Sequence, residues 1–304
     1  MQEFEYKASD GAAVACYHWP IDAPRAVVTI AHGMGEHALR YDAVARRLNE
    51  AGYTVYAHDH RGHGETGRRN VASTAGCAQG YMGGDGWNRA LADLYEINRF
   101  VASDNPGLPL VLLGHSMGSM MSQQYVTRYG HSIDVLALSG SPGFKKGVQG
   151  FIGRILAFLE STRLGPENAS ELMQKLVFGA ANKPYDGEGA TGFEWLTRDE
   201  AQMQAYIEDE DCGFVLSAGS LRDMYAGMRQ TQATPNLDKI PKALPIYVFA
   251  GVEDPVNGEQ QDIFRMLQAF NSRGLLAVES KWYAGARHEV FNETNGEEVI
   301  NDLI

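Results

Sequence analysis

The chain has 304 residues, 44% of them hydrophobic, enough to bury one large core and too many for a disordered segment. With 38 acidic against 26 basic residues its formal charge is −12, which repels nucleic-acid phosphates and anionic lipid surfaces rather than recruiting them. Nowhere do about eighteen apolar residues run unbroken, so a membrane-spanning helix is not expected. The opening "MQEFEYKASDG" is polar and acidic where an export signal needs a basic end and an apolar stretch. Two runs rich in aromatic and small residues, joined at Ser9-Asp10-Gly11, predict an antiparallel hairpin over "FEYKASDGAAVACYHW". "RAVVTIAHG" then reads as a buried strand, "RYDAVARRLNEAG" as a helix stopped by Gly52, and "YTVYAHDHRGHG" as the next strand and its loop. The alternation continues through the helix "WNRALADLYEINRFVASDNPG", the strand "LPLVLLG", the helix "SMGSMMSQQYVTRYG" and the strand "IDVLALSG". Such a pattern predicts an α/β fold, a mostly parallel central sheet with helices on both faces.

After Ser139-Gly140 the alternation fails. From Phe144 to about Thr234 there are helical patterns and Gly- and Asn-rich loops but no convincing apolar strand. The strands resume in "LPIYVFAGVEDPV", followed by the helix "EQQDIFRMLQAFNSRG" and the run "LAVESKWYAGARHEVFNE". The expected organisation is a first core part over 1–143, an inserted helical cap over 144–234 and a second core part over 235–304. The three cysteines, Cys16, Cys77 and Cys212, lack metal-ligand or redox-pair spacing and are expected to be reduced and structural, in a cytoplasm. The last run, "EEVINDLI", is shorter than a final helix of such a fold usually is, which leaves a shortened C-terminus open.

"VLLGHSMGS" sets Ser116 at a sharp turn between a strong strand and a strong helix. Gly114 and Gly118 leave room where a Cβ would clash, so the hydroxyl stands exposed at the sheet edge as a nucleophile. A serine needs a histidine to take its proton and a carboxylate to orient that histidine. Of nine histidines, His288, in the loop after the last apolar run, is best placed as the base. Asp254, at the end of the strand "IYVFAG", is the matching acid, and its neighbour Glu253 is expected to face away. The loop "AHGMGEH" follows a buried strand, and its glycines allow the Met34 amide, with that of Met117, to face a developing oxyanion. Against this stand blander readings: an ordinary turn at Ser116, a surface histidine at His288, a loop that touches no substrate at Met34.

Taken together, "AHGMGEH", "YAHDHRGHGET", "LLGHSMG", "GVEDPV" and "GARHE" resemble the monoacylglycerol lipase and lysophospholipase family of serine α/β-hydrolases. The resemblance implies the α/β-hydrolase fold and hydrolysis of lipid-like carboxylic esters through an acyl-enzyme, without metal or cofactor, under a mobile apolar cap. It departs at Ser119, where relatives commonly carry a second glycine, and the cap shows no transferable motif. Thioester or amide hydrolysis by the same triad, and a non-catalytic ligand-binding homologue, stay open as alternatives. The expected partner is a small lipid-like ester, with transient contact of the cap with lipid surfaces and no nucleic acid.

Other residues take structural roles on this reading. His58, Asp59, His60 and His63 of "HDHRGHG" are expected to be structural rather than metal-binding, since ligand spacing and a fourth partner are lacking. Asp85, Asp93 and Glu36 are expected to be hydrogen-bonding scaffold, Trp87 and Trp195 packing residues, and "IEDEDCG" a solvated cap loop. In "VQGFIGRILAFL" Val148, Phe151, Ile152, Ile155, Leu156 and Leu159 share one helical face. Of these Phe151, Ile155 and Leu159 are assigned to the acyl channel.

Overall fold

The structure is a computed structural model that describes residues 1–145 and 148–304, the side chains of 148–151 excepted. Eight strands form one sheet: β1 (Gln2–Lys7), β2 (Ala13–Trp19), β3 (Ala26–Ala31), β4 (Tyr53–His58), β5 (Leu110–His115), β6 (Val135–Ser139), β7 (Ile246–Gly251) and β8 (Val278–Tyr283). Their order across the sheet is β1-β2-β4-β3-β5-β6-β7-β8. The first two strands are the expected hairpin, with Phe4 opposite Cys16, and β2 also runs antiparallel to β4. Every other pairing is parallel; Val28 lies beside Val55 on one side and Val111 on the other. Strand β3 is buried along its whole length, which is why "AVVTIA" is continuously apolar rather than alternating.

Helices cover both faces. On one, the helices Asp42–Glu50 and Gly296–Leu303 bury Val44, Leu48, Val299 and Ile300 against Val28, Ile30 and Val55. On the other, the helices Gly86–Asp104, Met117–Tyr129 and Gln261–Ser272 bury Leu91, Leu94, Met121, Tyr125, Ile263 and Met266. Because β3, β5, β7 and β8 are parallel, their carboxyl ends, Ala31, His115, Gly251 and Tyr283, open onto the same edge of the sheet. In open α/β sheets that edge is where ligands bind.

Between β6 and β7 the described residues contain no strand. They hold the helices Val148–Leu164, Glu171–Gln174, Glu200–Glu208 and Ala218–Gln232 with the loops between them. The last of these is embedded: a Cβ on Gly227 would lie 2.0 Å from Trp87 Nε1, so backbone and indole are in direct contact. Trp87 Nε1 donates to Gln124 Oε1 at 2.6 Å, tying that contact to the helix Met117–Tyr129. No helix among the described residues is long and apolar enough to cross a membrane.

Candidate active site

Ser116 leaves β5 with φ 50° and ψ −113°, a conformation that L residues seldom adopt and that lifts its hydroxyl out of the sheet edge. The strain persists because the turn is held on both sides. Ser116 N–H donates to Ser139 O at 3.0 Å, and a Cβ on Gly118 would sit 2.0 Å from Ala31 O, so the following helix lies hard against β3. Any residue but glycine at 118 would push the serine off its position.

His288 meets that hydroxyl. Its Nε2 lies 2.8 Å from Ser116 Oγ, and its Nδ1 lies 3.0 Å from Asp254 Oδ2. An ionised carboxylate only accepts, so Nδ1 carries the proton and Nε2 is left free to accept from the serine. Burial alone would lower the basicity of the 2%-exposed His288, but the Asp254 carboxylate outweighs it and raises the imidazole above its ordinary pKa. Asp254 is itself held by Val256 N–H, which donates to Oδ1 at 2.8 Å. The Glu253 side chain is exposed, and its backbone alone is engaged, N–H donating to Ala286 O at 3.0 Å and the carbonyl accepting from the Tyr185 hydroxyl, so the two neighbours diverge as a strand end requires.

The turn after β3 completes the edge. His60 N–H donates to His32 Nε2 at 2.9 Å, which leaves the His32 proton on Nδ1 to bond Gly33 O at 2.7 Å. Gly33 N–H donates to Glu36 Oε1, and Tyr41 hydroxyl donates to the same oxygen at 2.9 Å. Gly35, at φ 67°, has no room for a Cβ, which would lie 2.4 Å from Phe214 O. Met34 and Met117 both line the cavity into which Ser116 opens. As the first residue of a helix, Met117 has an N–H without an intrahelical acceptor.

That cavity has a volume of about 780 Å³. Met120, Val177, Phe178, Trp195, Met224 and Met228 give it apolar walls, Lys145, Arg154 and Arg229 add positive charge, and among the described residues no carboxylate lines it. Trp195 is both wall and support: its ring packs 4.9 Å from that of His288, and its carbonyl accepts from His288 N–H at 3.3 Å.

The acyl-channel assignments need correction. Ile155 and Leu159 are 39% and 54% exposed and are absent from the cavity wall. Their helix turns Arg154, Leu156 and Ala157 inward instead, because its inner face packs on the helix Ala218–Gln232, while Ile152, Ile155 and Leu159 lie on the outside. The Phe151 side chain lies outside the described residues. The acidic run is also not simply solvated: His37 Nε2 and Asp209 Oδ2 are 2.8 Å apart, and Arg68 pairs with Asp211.

Two residues were missed in the sequence. Arg40 reaches Glu36 Oε2 at 2.7 Å and grips Glu289 with both nitrogens at 2.6 and 2.7 Å, linking the turn that carries Met34 to the residue after His288. Burial would raise the Glu289 carboxyl, but the guanidinium holds it down to about 2. No local signal would have found them, because Glu36 lies in the loop before the short helix Ala38–Tyr41 that carries Arg40, and Glu289 is 249 positions away. The "HDHRGHG" loop is scaffold: Asp59 accepts from Ala38 N–H, Glu65 N–H and Tyr17 hydroxyl, and Arg61 is bidentate to Asp93.

A family model described as "Serine aminopeptidase, S33" matches residues 22–295. The chain is 29% identical to a monoacylglycerol lipase of Mycolicibacterium smegmatis, over 99% of this chain and 95% of that one. It is also 29% identical to the monoglyceride lipase of Homo sapiens, over 97% and 85%. Among solved structures it superposes on one titled "Lipase (Open form)" with a TM-score of 0.85 and 28% identity, covering 99% of this chain and 96% of that one.

Proposed function

Since the chain belongs to the Serine aminopeptidase, S33 family and is a serine ester hydrolase of lipid-like substrates, we propose that Ser116, His288 and Asp254 are its catalytic triad and a monoacylglycerol its substrate. The observation that carries the triad is the unbroken line from Ser116 Oγ through both His288 nitrogens to Asp254, at 2.8 and 3.0 Å. In the reaction Ser116 Oγ attacks the ester carbonyl while His288 Nε2 takes its proton, and Asp254 stabilises the imidazolium that forms. The amides of Met34 and Met117 face the oxygen that becomes negative, where fixed donors lower the barrier most. His288 then protonates the departing alcohol, and water repeats the sequence on the acyl-enzyme.

The single-chain preference rests on the cavity, whose volume and apolar walls suit one acyl chain and leave little room for two more. The relatives named monoacylglycerol lipase support the same choice. A peptide substrate is disfavoured, because a free α-amino group needs a carboxylate partner and the described residues of the cavity wall offer none. The helical segment between β6 and β7 acts as the cap. Its outer face shows Ile152, Ile155, Phe158, Leu159 and Leu172 to solvent, a patch suited to transient contact with a lipid surface. The three unpaired thiols favour a cytoplasmic location.

The test is hydrolysis of monooctanoylglycerol and trioctanoylglycerol by the purified chain, with a fluorophosphonate to label the nucleophile. Turnover of the monoester alone, with labelling lost in Ser116→Ala, is expected. Labelling at another serine would overturn the triad, and equal turnover of the triester would overturn the substrate.

A further inference from the structure

His37 lies in the turn after β3, and Asp209 and Cys212 lie beyond the helix Glu200–Glu208, yet one ligand atom from each falls within 4.8 Å of the other two. Among the described residues this is the one group of three histidine, cysteine or acidic side chains so arranged. Both halves are built. Cys212 N–H donates to Asp209 O at 3.0 Å and Asp211 N–H to Asp209 Oδ1 at 2.8 Å, which leaves Oδ2 turned toward His37. The two segments meet at one carbonyl, since the Gly213 N–H at 3.0 Å and the Tyr206 hydroxyl, from the preceding helix, at 2.8 Å both donate to Gly35 O. Asp209 and Cys212 are three apart on one turn, a spacing that suits two ligands of one ion.

The surroundings favour a cation. Asp209, Glu36 and Glu289 all act on the Cys212 sulfur, against the single guanidinium of Arg40. A dication placed among three carboxylates and one guanidinium gains from the local charge, and a thiolate with an imidazole and a carboxylate selects ions of borderline softness.

We propose that His37, Asp209 and Cys212 bind a divalent transition metal of the zinc class, which pins the Asp209–Cys212 turn to the turn that carries Met34. On binding, the Cys212 thiol releases its proton to solvent and its sulfur bonds the metal. The proton that His37 Nε2 shares with Asp209 Oδ2 at 2.8 Å moves through solvent to Nδ1, so that neutral His37 gives the Nε2 lone pair, Asp209 gives Oδ2, and a fourth position is left for water. The site is independent of the triad, so it is tested in the Ser116→Ala chain, which also removes turnover as a variable.

The probe is Co²⁺ added to chelator-treated protein. The expected result is a thiolate-to-cobalt charge-transfer band and tetrahedral visible bands that saturate at one equivalent, vanish with chelator and are displaced by Zn²⁺. Cys212→Ser should abolish the charge-transfer band. His37→Gln and Asp209→Asn should each weaken binding at least about tenfold, while His131→Gln on the far surface should not. Each variant is first matched to its parent in metal-free melting temperature; one that is not matched is replaced by alkylation of the parent. There Zn²⁺ should slow modification of Cys212 about tenfold or more, Cys16 and Cys77 being buried. Absence of the charge-transfer band, its survival in Cys212→Ser, or alkylation indifferent to Zn²⁺ would each overturn the proposal.

Discussion

The carboxyl edge of the sheet and the helical segment between β6 and β7 solve different problems with different chemistry. At the edge, positions are over-determined: Ser116 is held at φ 50° by β6 and by a glycine that only just clears β3, and His288 and Asp254 are each 2% exposed. The helical segment instead shows large apolar side chains on its outside and uses methionines and small residues to shape the cavity wall. A rigid frame of buried polar bonds suits groups that must stay within tenths of an ångström; a softer apolar wall suits a chain recognised mainly by its length. Substitutions at the edge should therefore change chemistry, and those in the segment should change selectivity.

The largest effect is expected at the nucleophile. Ser116→Ala should lower kcat by roughly a millionfold, as loss of a serine nucleophile does elsewhere, with the melting temperature unchanged; activity near wild type would sink the assignment. Asp254→Asn should lower kcat by at least about a hundredfold, because the imidazole loses its orientation and the imidazolium its counter-charge. The same variant should move the acid limb of the kcat/KM profile. In the parent that limb is expected above pH 6.5, since Asp254 raises His288 and the base must be neutral to act. It should fall to lower pH in Asp254→Asn, while Glu253→Gln leaves both rate and limb nearly unchanged. A reversed pair of results would place the wrong carboxylate against His288.

Acid should loosen the edge before the helical segment, which contains no histidine between residues 144 and 234. Burial holds His58 and His63 down to about 4, and burial with the nearby His288 holds His115 down to about 3. Below pH 6.5 the unfolded chain takes up protons there that the folded chain refuses. Their stabilisation is therefore complete above pH 6.5 and is lost as pH falls toward 4, by up to about 1.4 kcal/mol per pH unit for each. The buried carboxyls of Glu36, Asp59 and Asp93, which burial raises, pull the other way and keep the net loss below that sum. Urea unfolding at pH 7 and pH 5 should show a loss of about 1–3 kcal/mol; an unchanged midpoint would deny these histidines that role.

Met228→Asp, on the cavity wall, should cut turnover of octanoate monoesters roughly tenfold more than that of acetates, since a buried methylene is worth about 0.8 kcal/mol. Equal losses would mean that the acyl chain lies elsewhere. The smallest effect is expected at Ile155→Asp. It should alter hydrolysis of dissolved short esters less than about twofold, as exposed substitutions usually do, while reducing retention on phospholipid vesicles. A selective loss on dissolved octanoate would return this helix face to the acyl channel.

Much of this was legible in the sequence, for reasons of local physics. Continuous apolar runs alternating with amphipathic stretches specify buried parallel strands and covering helices, and the glycines around Ser116 mark a turn that only they tolerate. Parallel strands in turn bring their carboxyl ends together, so Ser116, Asp254 and His288 could be named from the ends of three strands before their distances were known. Helical periodicity states which residues share a face and is silent on the direction that face points. Ile155 and Leu159 share one, and packing against the helix Ala218–Gln232 turned it outward. Contacts across many residues are likewise invisible in a linear pattern: the Arg40–Glu289 grip spans 249 positions and the His37–Asp209 contact 172. Local spacing determined the elements and the chemistry at their ends; only the tertiary structure decided which surfaces face the cavity and which distant side chains meet, because both depend on how finished elements pack.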